Sequence, residues 1–311
     1  MTNKLLLALF ALFVGFSGCK KDSPTETPPP DQTPDLLGAP NNSMVRVTGG
    51  AFLMGSDTQD YPYAHPQHAV TLTTFNIDNY EILYEKWVIV NKWGATHGYT
   101  DIQEFGANGF DAGPNAMQPV AQVNWYDAVK WCNARSEMDG LTPVYYTGTS
   151  HIPAKIYRTG TIGISNDMVN WTANGYRLPT EAEWEFAARG GTKAQVPTPY
   201  MYSGSNFVDS VAWYSGNAGA TTHAREYKKP NELGIYDMSG NVNEWCWDWY
   251  LFYYQNGVQT DPKGVTSGEE RVIRGGSYFE GQTRCRSLDR FFWSPAGRIN
   301  NSGFRCVRVT P

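Results

Sequence analysis

Thiols and imidazoles are the side chains of this sequence best suited to redox or metal chemistry. Cysteines stand at positions 19, 132, 246, 285 and 306. The last four form an even set, which in an exported chain points to disulfides and permits three pairings. His65 and His68 are close in sequence, but no third ligand follows at a metal-binding spacing. They read as loop packing. His97, His151 and His223 are scattered singly. No nucleophile elbow, phosphate loop or helical His-Glu-x-x-His motif occurs, so common hydrolase, nucleotide-binding and zinc-protease classes lack support. Trp245, Trp247 and Trp249 alternate as on a strand. Core packing is the plain reading; an aromatic wall for a sugar or peptide is the sharper one.

The elements that must position these groups come next. The chain has 311 residues, 31 glycines and 19 prolines, and 14% of it is aromatic. Such a composition favours short elements joined by ordered loops. Twenty-five Lys and Arg against 30 Asp and Glu leave a net charge of −5, which argues against nucleic acid as the main partner. Strands are expected around 45–47, 51–55, 70–73 and 75–77. A helix is expected from Glu81 to Trp93, and another from Trp125 to Glu137 behind an Asn124 N-cap. Thr180-Glu181-Ala182-Glu183 is a capping box that opens a third helix, running to about Arg189 and read as amphipathic scaffold. Beyond Gly190 the chain reads as aromatic loops and short strands. The class is α+β with much irregular backbone, in one domain over residues 44–311.

The N-terminus reads as an address. Lys4 precedes an apolar run from Leu5 to Phe16, about 12 residues and too short to span ~30 Å of hydrocarbon. Phe16-Ser17-Gly18-Cys19 resembles a bacterial lipobox, with Phe16 a departure from the usual Leu. The resemblance implies a signal peptide over residues 1–18, cleavage before Cys19 and lipidation of its thiol. Residues 19–43 then form a Pro-rich spacer that lacks the apolar surface to fold. Lys20 in place of an acidic retention signal favours the outer membrane, by resemblance to known sorting rules.

Several segments taken together carry a second resemblance. They are Gly49-Gly50-Ala51-Phe52-Leu53-Met54-Gly55, Gln118-Pro119-Val120 with Asn124-Trp125-Tyr126-Asp127-Ala128, and Arg177-Leu178-Pro179-Thr180-Glu181-Ala182-Glu183-Trp184-Glu185. Gly234 to Val242, Arg274-Gly275-Gly276-Ser277 and Gly303-Phe304-Arg305 complete the set. In this order they resemble the formylglycine-generating enzyme, or sulfatase-modifying factor, family over about residues 44–309. The resemblance implies a single α+β domain with little regular structure, related to C-type lectin-like folds. Family enzymes oxidise a sulfatase cysteine to formylglycine with O2 and copper held by two cysteines, while other members are not oxidases.

The resemblance also assigns roles. It pairs Cys132 with Cys306 in a disulfide. A second family disulfide is missing at both ends, where Ala188 and Arg290 stand. Of the two copper cysteines the later is Cys285, but Glu280 occupies the earlier position. A carboxylate is a hard donor and a poor replacement for a thiolate that must hold Cu(I). Ser277 would line the pocket, and Asn243 replaces a common Trp nearby. Cys246 and Cys285 are expected as a disulfide in an oxidising compartment, with a substitute dithiolate site as the alternative. Asp237, Gly240, Val242 and Glu244 match the family's calcium loop, offering two carboxylates and two backbone carbonyls, all hard oxygen donors. A plain Gly-Asn turn is the other reading of that segment.

The sequence therefore leads to an envelope lipoprotein with a formylglycine-generating-enzyme-like domain. Its expected role is to bind an envelope protein or glycan without oxidase chemistry. The alternative is a working oxidase acting on a sulfatase polypeptide with copper, in which Cys285 engages the substrate and Ser277 lines the pocket.

Overall fold

A computed structural model describes residues 44–103, 117–193 and 200–309. The expected lipidation site, Cys19, and the spacer after it lie outside the described residues. Among the described residues no helix is long and apolar enough to cross a membrane.

The chain opens with β1 (Met44–Val47), β2 (Gly50–Met54), β3 (His68–Leu72) and β4 (Phe75–Asp78). The first two strands do not pair with each other. β1 pairs antiparallel with β4, and β2 pairs antiparallel with β3. Gly49 makes this split possible, since a Cβ there would lie 2.4 Å from the Leu72 carbonyl oxygen. A last strand, β10 (Val307–Val309), joins β4 and brings the C-terminus beside the start of the domain.

The first helix differs from expectation. α1 spans Tyr84–Ala95, not Glu81 to Trp93. Pro119 bridges Leu83, and the Tyr84 amide donates to the Gln118 carbonyl at 2.9 Å, which holds the chain extended up to Leu83. Glu81 is thereby freed from the helix and buried elsewhere. α2 (Trp125–Met138) starts where its cap predicts, with the Asn124 side chain accepting from the Asp127 amide. It packs on α1 through the stacked Trp87 and Trp131 rings, centroids 5.8 Å apart.

α3 (Glu181–Ala188) carries the capping box that its sequence promised. It is not amphipathic, because all eight of its residues are buried. Its three glutamates are neutralised inside the protein: Glu181 by Arg290, Glu183 by Arg177, and Glu185 by Arg274 and Arg189. Periodicity could not anticipate Arg274 and Arg290, which come from segments 89 and 109 residues away, although Arg177 and Arg189 flank the helix itself.

After the short helix α4 (Val208–Val211), a second half assembles around β5 (Asn243–Trp249). β5 lies between β7 (Arg271–Arg274) and β9 (Ser302–Gly303), with β8 (Phe291–Trp293) at the edge beyond β7. The two-residue β6 (Gln259–Thr260) adds parallel to β3. Trp245 and Trp247 are buried in the core with Trp125, Trp131 and Phe304, so they form no open wall. Trp249 is half-buried, with the Arg271 guanidinium 3.4 Å from its ring centroid.

Asp248, next along β5, accepts a 2.7 Å hydrogen bond from the Glu181 amide at the start of α3. Burial, then the neighbouring Glu181 carboxylate, pushes its acid up to about 7. A folded-state value above the unfolded one near 3.9 favours the protonated, folded form. That stability is complete below about pH 4 and is lost as pH rises through about 7. Asp248→Asn keeps the acceptor and removes the titration. Chemical denaturation at pH 5 and pH 8 should show the variant gaining roughly 2–3 kcal/mol on the parent between the two pH values. Equal differences at both pH values would refute the assignment.

Candidate functional site

The segment after β7 turns back on itself. Gly275 and Gly276 both have positive φ, at 94° and 70°. A Cβ on Gly276 would lie 2.7 Å from the Arg284 carbonyl, so only glycine allows the 3-10 turn Gln282–Cys285 to fold against it. This places Ser277, Glu280 and Cys285 in one loop. The start of β5 adds Asn243, and the approach to β9 adds Asn301.

A closed hydrogen-bond network follows. Ser277 Oγ donates to Glu280 Oε2 at 3.0 Å, and Asn243 Nδ2 donates to the same oxygen at 2.9 Å. Asn301 Nδ2 donates to Ser277 Oγ at 2.8 Å. Ser277, Asn243 and Asn301 are buried, while Glu280 is half-buried and its neighbour Phe279 is 65% exposed. The serine hydroxyl is thus held between an amide and a carboxylate. Asn243, with the small amide in place of a Trp, is what reaches Glu280. Asn301 was not singled out from the sequence, because it sits in a polar turn with no motif around it.

Cys285 is buried against Tyr202, Val208, Val211 and Ala212. Burial, then the Glu280 and Asp289 carboxylates, pushes its thiol up to about 12. It is therefore a protonated thiol at neutral pH, whereas a metal takes the thiolate. Cys246 is buried in a different apolar cluster, with Met54, Trp184 and Met238. Both are free thiols, so the expected Cys246–Cys285 disulfide is not present and the substitute dithiolate site is not assembled. Alternation along β5 is the physical reason. Trp245 and Trp247 face the cluster around α1 and α2, which sends Cys246 to the opposite face, into the cluster that contains α3. The donor set at Ser277–Cys285 is one raised thiol and one hydrogen-bonded carboxylate, which does not fit Cu(I).

Cys132 on α2 and Cys306 before β10 do meet, with sulfurs 3.6 Å apart as free thiols. Asp78 locks the spot, taking the Arg135 guanidinium bidentately at 2.8 and 3.1 Å and the Cys306 amide at 3.0 Å.

The 237–244 loop is an acidic interior site. Asp237 and Asn241 have φ of 55° and 63°, which turns the chain sharply around Gly240. Glu244 accepts from Trp184 Nε1 at 2.9 Å and from Arg305 at 2.6 and 2.7 Å. Three donors leave about one of its four lone-pair sites open. Asp237 Oδ1 is buried with no hydrogen-bond partner, and burial pushes its acid up to about 7. Glu81, released from α1, accepts from the Val242 amide and from Asn241 Nδ2 at 3.0 and 2.7 Å. Burial and then the Asp237 and Glu244 charges hold its acid well above the usual range. Three acids thus crowd around the buried Arg305 guanidinium, with Lys228 a weaker counter-charge to Asp237. Among the described residues no three His, Cys, Asp or Glu side chains converge as a ready-made metal site. The orphaned Asp237 oxygen and the open position on Glu244 fit a hard cation completed by backbone carbonyls.

With this geometry in place, likeness to other proteins becomes informative. The family model for the sulfatase-modifying factor enzyme 1-like domain matches residues 31–310. The chain belongs to that family. Within it, the chain is 36% identical over 273 residues to chaperone protein LppX of Paenibacillus barcinonensis, covering 80% of this chain and 82% of the relative. It is 30% identical over 298 residues to the formylglycine-generating enzyme of Streptomyces coelicolor, covering 85% and 88%. Treponema denticola variable protein 1 superposes with a TM-score of 0.71 at 31% identity, covering 86% of this chain and 95% of that one. CarF does so at 0.67 and 30%, covering 87% and 99%. The expected α+β, single-domain class of the sulfatase-modifying factor family is therefore the class of this protein.

Proposed function

We propose that this protein is an exported, lipid-anchored member of the family that binds another polypeptide and does not oxidise sulfatase cysteines. One observation carries the reading. At the position of the first copper cysteine, the Glu280 carboxylate is fixed by Ser277 and Asn243. A hard, hydrogen-bonded oxygen cannot supply the second soft donor that Cu(I) needs. The chaperone name carried by the LppX relative supports a polypeptide partner. Anchoring through Cys19 at the outer membrane, with residues 19–43 as spacer, belongs to the same proposal, as does oxidation of the adjacent Cys132 and Cys306 thiols to a disulfide after export.

The decisive experiment incubates the protein with a Cys-x-Pro-x-Arg peptide, copper and O2, followed by mass spectrometry. The peptide thiol should survive. Conversion to the aldehyde would overturn the reading in favour of the oxidase. A photo-crosslinker at the exposed Phe279 supplies the positive arm. It should capture a polypeptide in the envelope, and Glu280→Lys should abolish that adduct.

Calcium is proposed at Asp237 and Glu244 with the carbonyls of Gly240 and Val242. A bound dication would offset the repulsion among Asp237, Glu244 and Glu81. Calcium should stabilise the fold by RT ln(1 + [L]/Kd), about 2.7 kcal/mol at a hundredfold excess over Kd, so the melting temperature should rise on adding calcium and fall with chelator. A midpoint indifferent to both would eliminate the site.

A further inference from the structure

A second surface feature is built entirely from residues outside the Ser277–Cys285 loop. Residues 250–254 read Tyr-Leu-Phe-Tyr-Tyr, and they follow β5 without regular structure. Leu251, Phe252 and Tyr253 are 36%, 54% and 54% exposed, and Tyr63 beside them is 40% exposed. The rings form a continuous chain. Tyr63 meets Phe252 at 5.1 Å, Phe252 meets Tyr253 at 5.7 Å, and Tyr253 meets His65 at 4.4 Å. Apolar surface left in water opposes folding, so a contiguous patch of this kind marks a contact site.

The patch is held rigid from below. Arg290 donates to the Tyr63 and Leu251 carbonyls at 2.7 and 3.0 Å, and the Tyr254 amide donates to the His65 carbonyl at 2.9 Å. Two separate chain segments are thereby fixed relative to each other before any ligand arrives, which removes much of the ordering cost of binding.

Behind the rings lies a narrow, open-mouthed cleft of about 50 Å³. Its lining includes Tyr253, Trp249, Asp248, Gln255 and Gln259, and a shallower hollow lined by Gln255, Asn256, Gln259 and Lys263 continues from it. The charges nearly balance. Glu181 is neutralised by Arg290 at 2.6 Å, and the Lys263 ammonium lies 4.4 Å from the centroid of the Trp171 ring. A strongly charged ligand gains little there. Three amides and a carboxylate offer both donors and acceptors to hydroxyl groups. A flat C–H face against Tyr253, with hydroxyls turned to Asp248 and the amides, is the chemistry of a sugar ring. A peptide added along the sheet edge would find only the two residues of β6 to pair with.

We propose that this aromatic shelf and cleft bind a neutral oligosaccharide, with Tyr253 as the stacking ring and Asp248 and Gln259 as hydrogen-bonding groups. The site shares none of its residues with the Ser277–Cys285 loop, so it stands or falls independently of the polypeptide-binding proposal.

The test is affinity electrophoresis of the exported protein in gels containing hydroxyethyl cellulose, glycogen, xylan, mannan or glycol chitin. At least one polymer should retard the parent protein. Tyr253→Ala and Gln259→Ala should each weaken that retardation by about tenfold or more with unchanged thermal melting. Tyr227→Ala, an exposed ring elsewhere at 75%, should leave it intact. Failure of every polymer to retard the protein would overturn the proposal. So would equal retardation of Tyr253→Ala, or displacement of the sugar by an unfolded polypeptide such as carboxymethylated casein.

Discussion

Replacing Arg305 by alanine should destabilise the domain by about 3–5 kcal/mol, enough to unfold a domain of ordinary stability at 37 °C. The guanidinium is fully buried and holds Glu244 through Nε and Nη2 at 2.7 and 2.6 Å. It also donates to the backbone carbonyls of Asp78 and Tyr236 at 3.1 and 3.0 Å, tying β4 to the 237–244 loop. Its removal leaves Glu81 and Glu244 in a water-poor interior without their main positive partner, and Asp237 with only the weaker Lys228 charge. They would have to bind protons or draw in water, and either route loosens the loop. Urea denaturation with and without calcium measures the effect. If calcium is held there, saturating metal should recover part of the loss. Glu244→Gln in the Arg305→Ala background should also recover part, because the stranded charge disappears. A loss below about 1 kcal/mol would mean that the pair is solvated in solution and that this picture of the acidic interior is wrong.

Arg290→Ala is the second large effect, again about 3–5 kcal/mol. Arg290 forks onto Glu181 of α3 at 2.6 and 2.8 Å and lies 4.0 Å from the centroid of the Tyr254 ring. Positions 188 and 290 are those that the family resemblance assigns to a second disulfide. In this chain the same helix and the same loop are joined by an ion pair. The replacement is geometrically demanding, since a planar fork must match both carboxylate oxygens while reaching two carbonyls. Arg290→Lys should therefore fall between the parent and alanine. The alanine variant should also release the 250–254 segment, read as increased proteolysis after Tyr or Phe at that segment. Lost stability with unchanged cleavage there would assign Arg290 to α3 alone.

The two predictions show where sequence reading succeeded and where it stopped. Local rules placed the Asn124 cap and the Thr180–Glu183 box correctly, because both are satisfied within four residues. The same rules put Glu81 inside α1. Pro119, 38 positions away, decides otherwise by bridging Leu83 and delaying the helix. They also made α3 amphipathic, since three glutamates in eight residues look solvated until arginines at 274 and 290 arrive from elsewhere.

At the candidate site the division is equally physical. The family resemblance places Glu280 where the oxidase carries a copper thiolate, and hard–soft chemistry makes that a statement about copper without any coordinates. The four cysteines from Cys132 onward could not be paired by counting. Cys132 and Cys306 meet because α2 packs beside the segment entering β10, while β5 alternates and sends Cys246 into a cluster apart from Cys285. Composition, caps and motif chemistry are properties of neighbours along the chain and so are written in it. Which buried acid faces which arginine, and which loop's rings come to line a cleft, mostly depend on segments tens of residues to well over a hundred residues apart, and only packing brings those together.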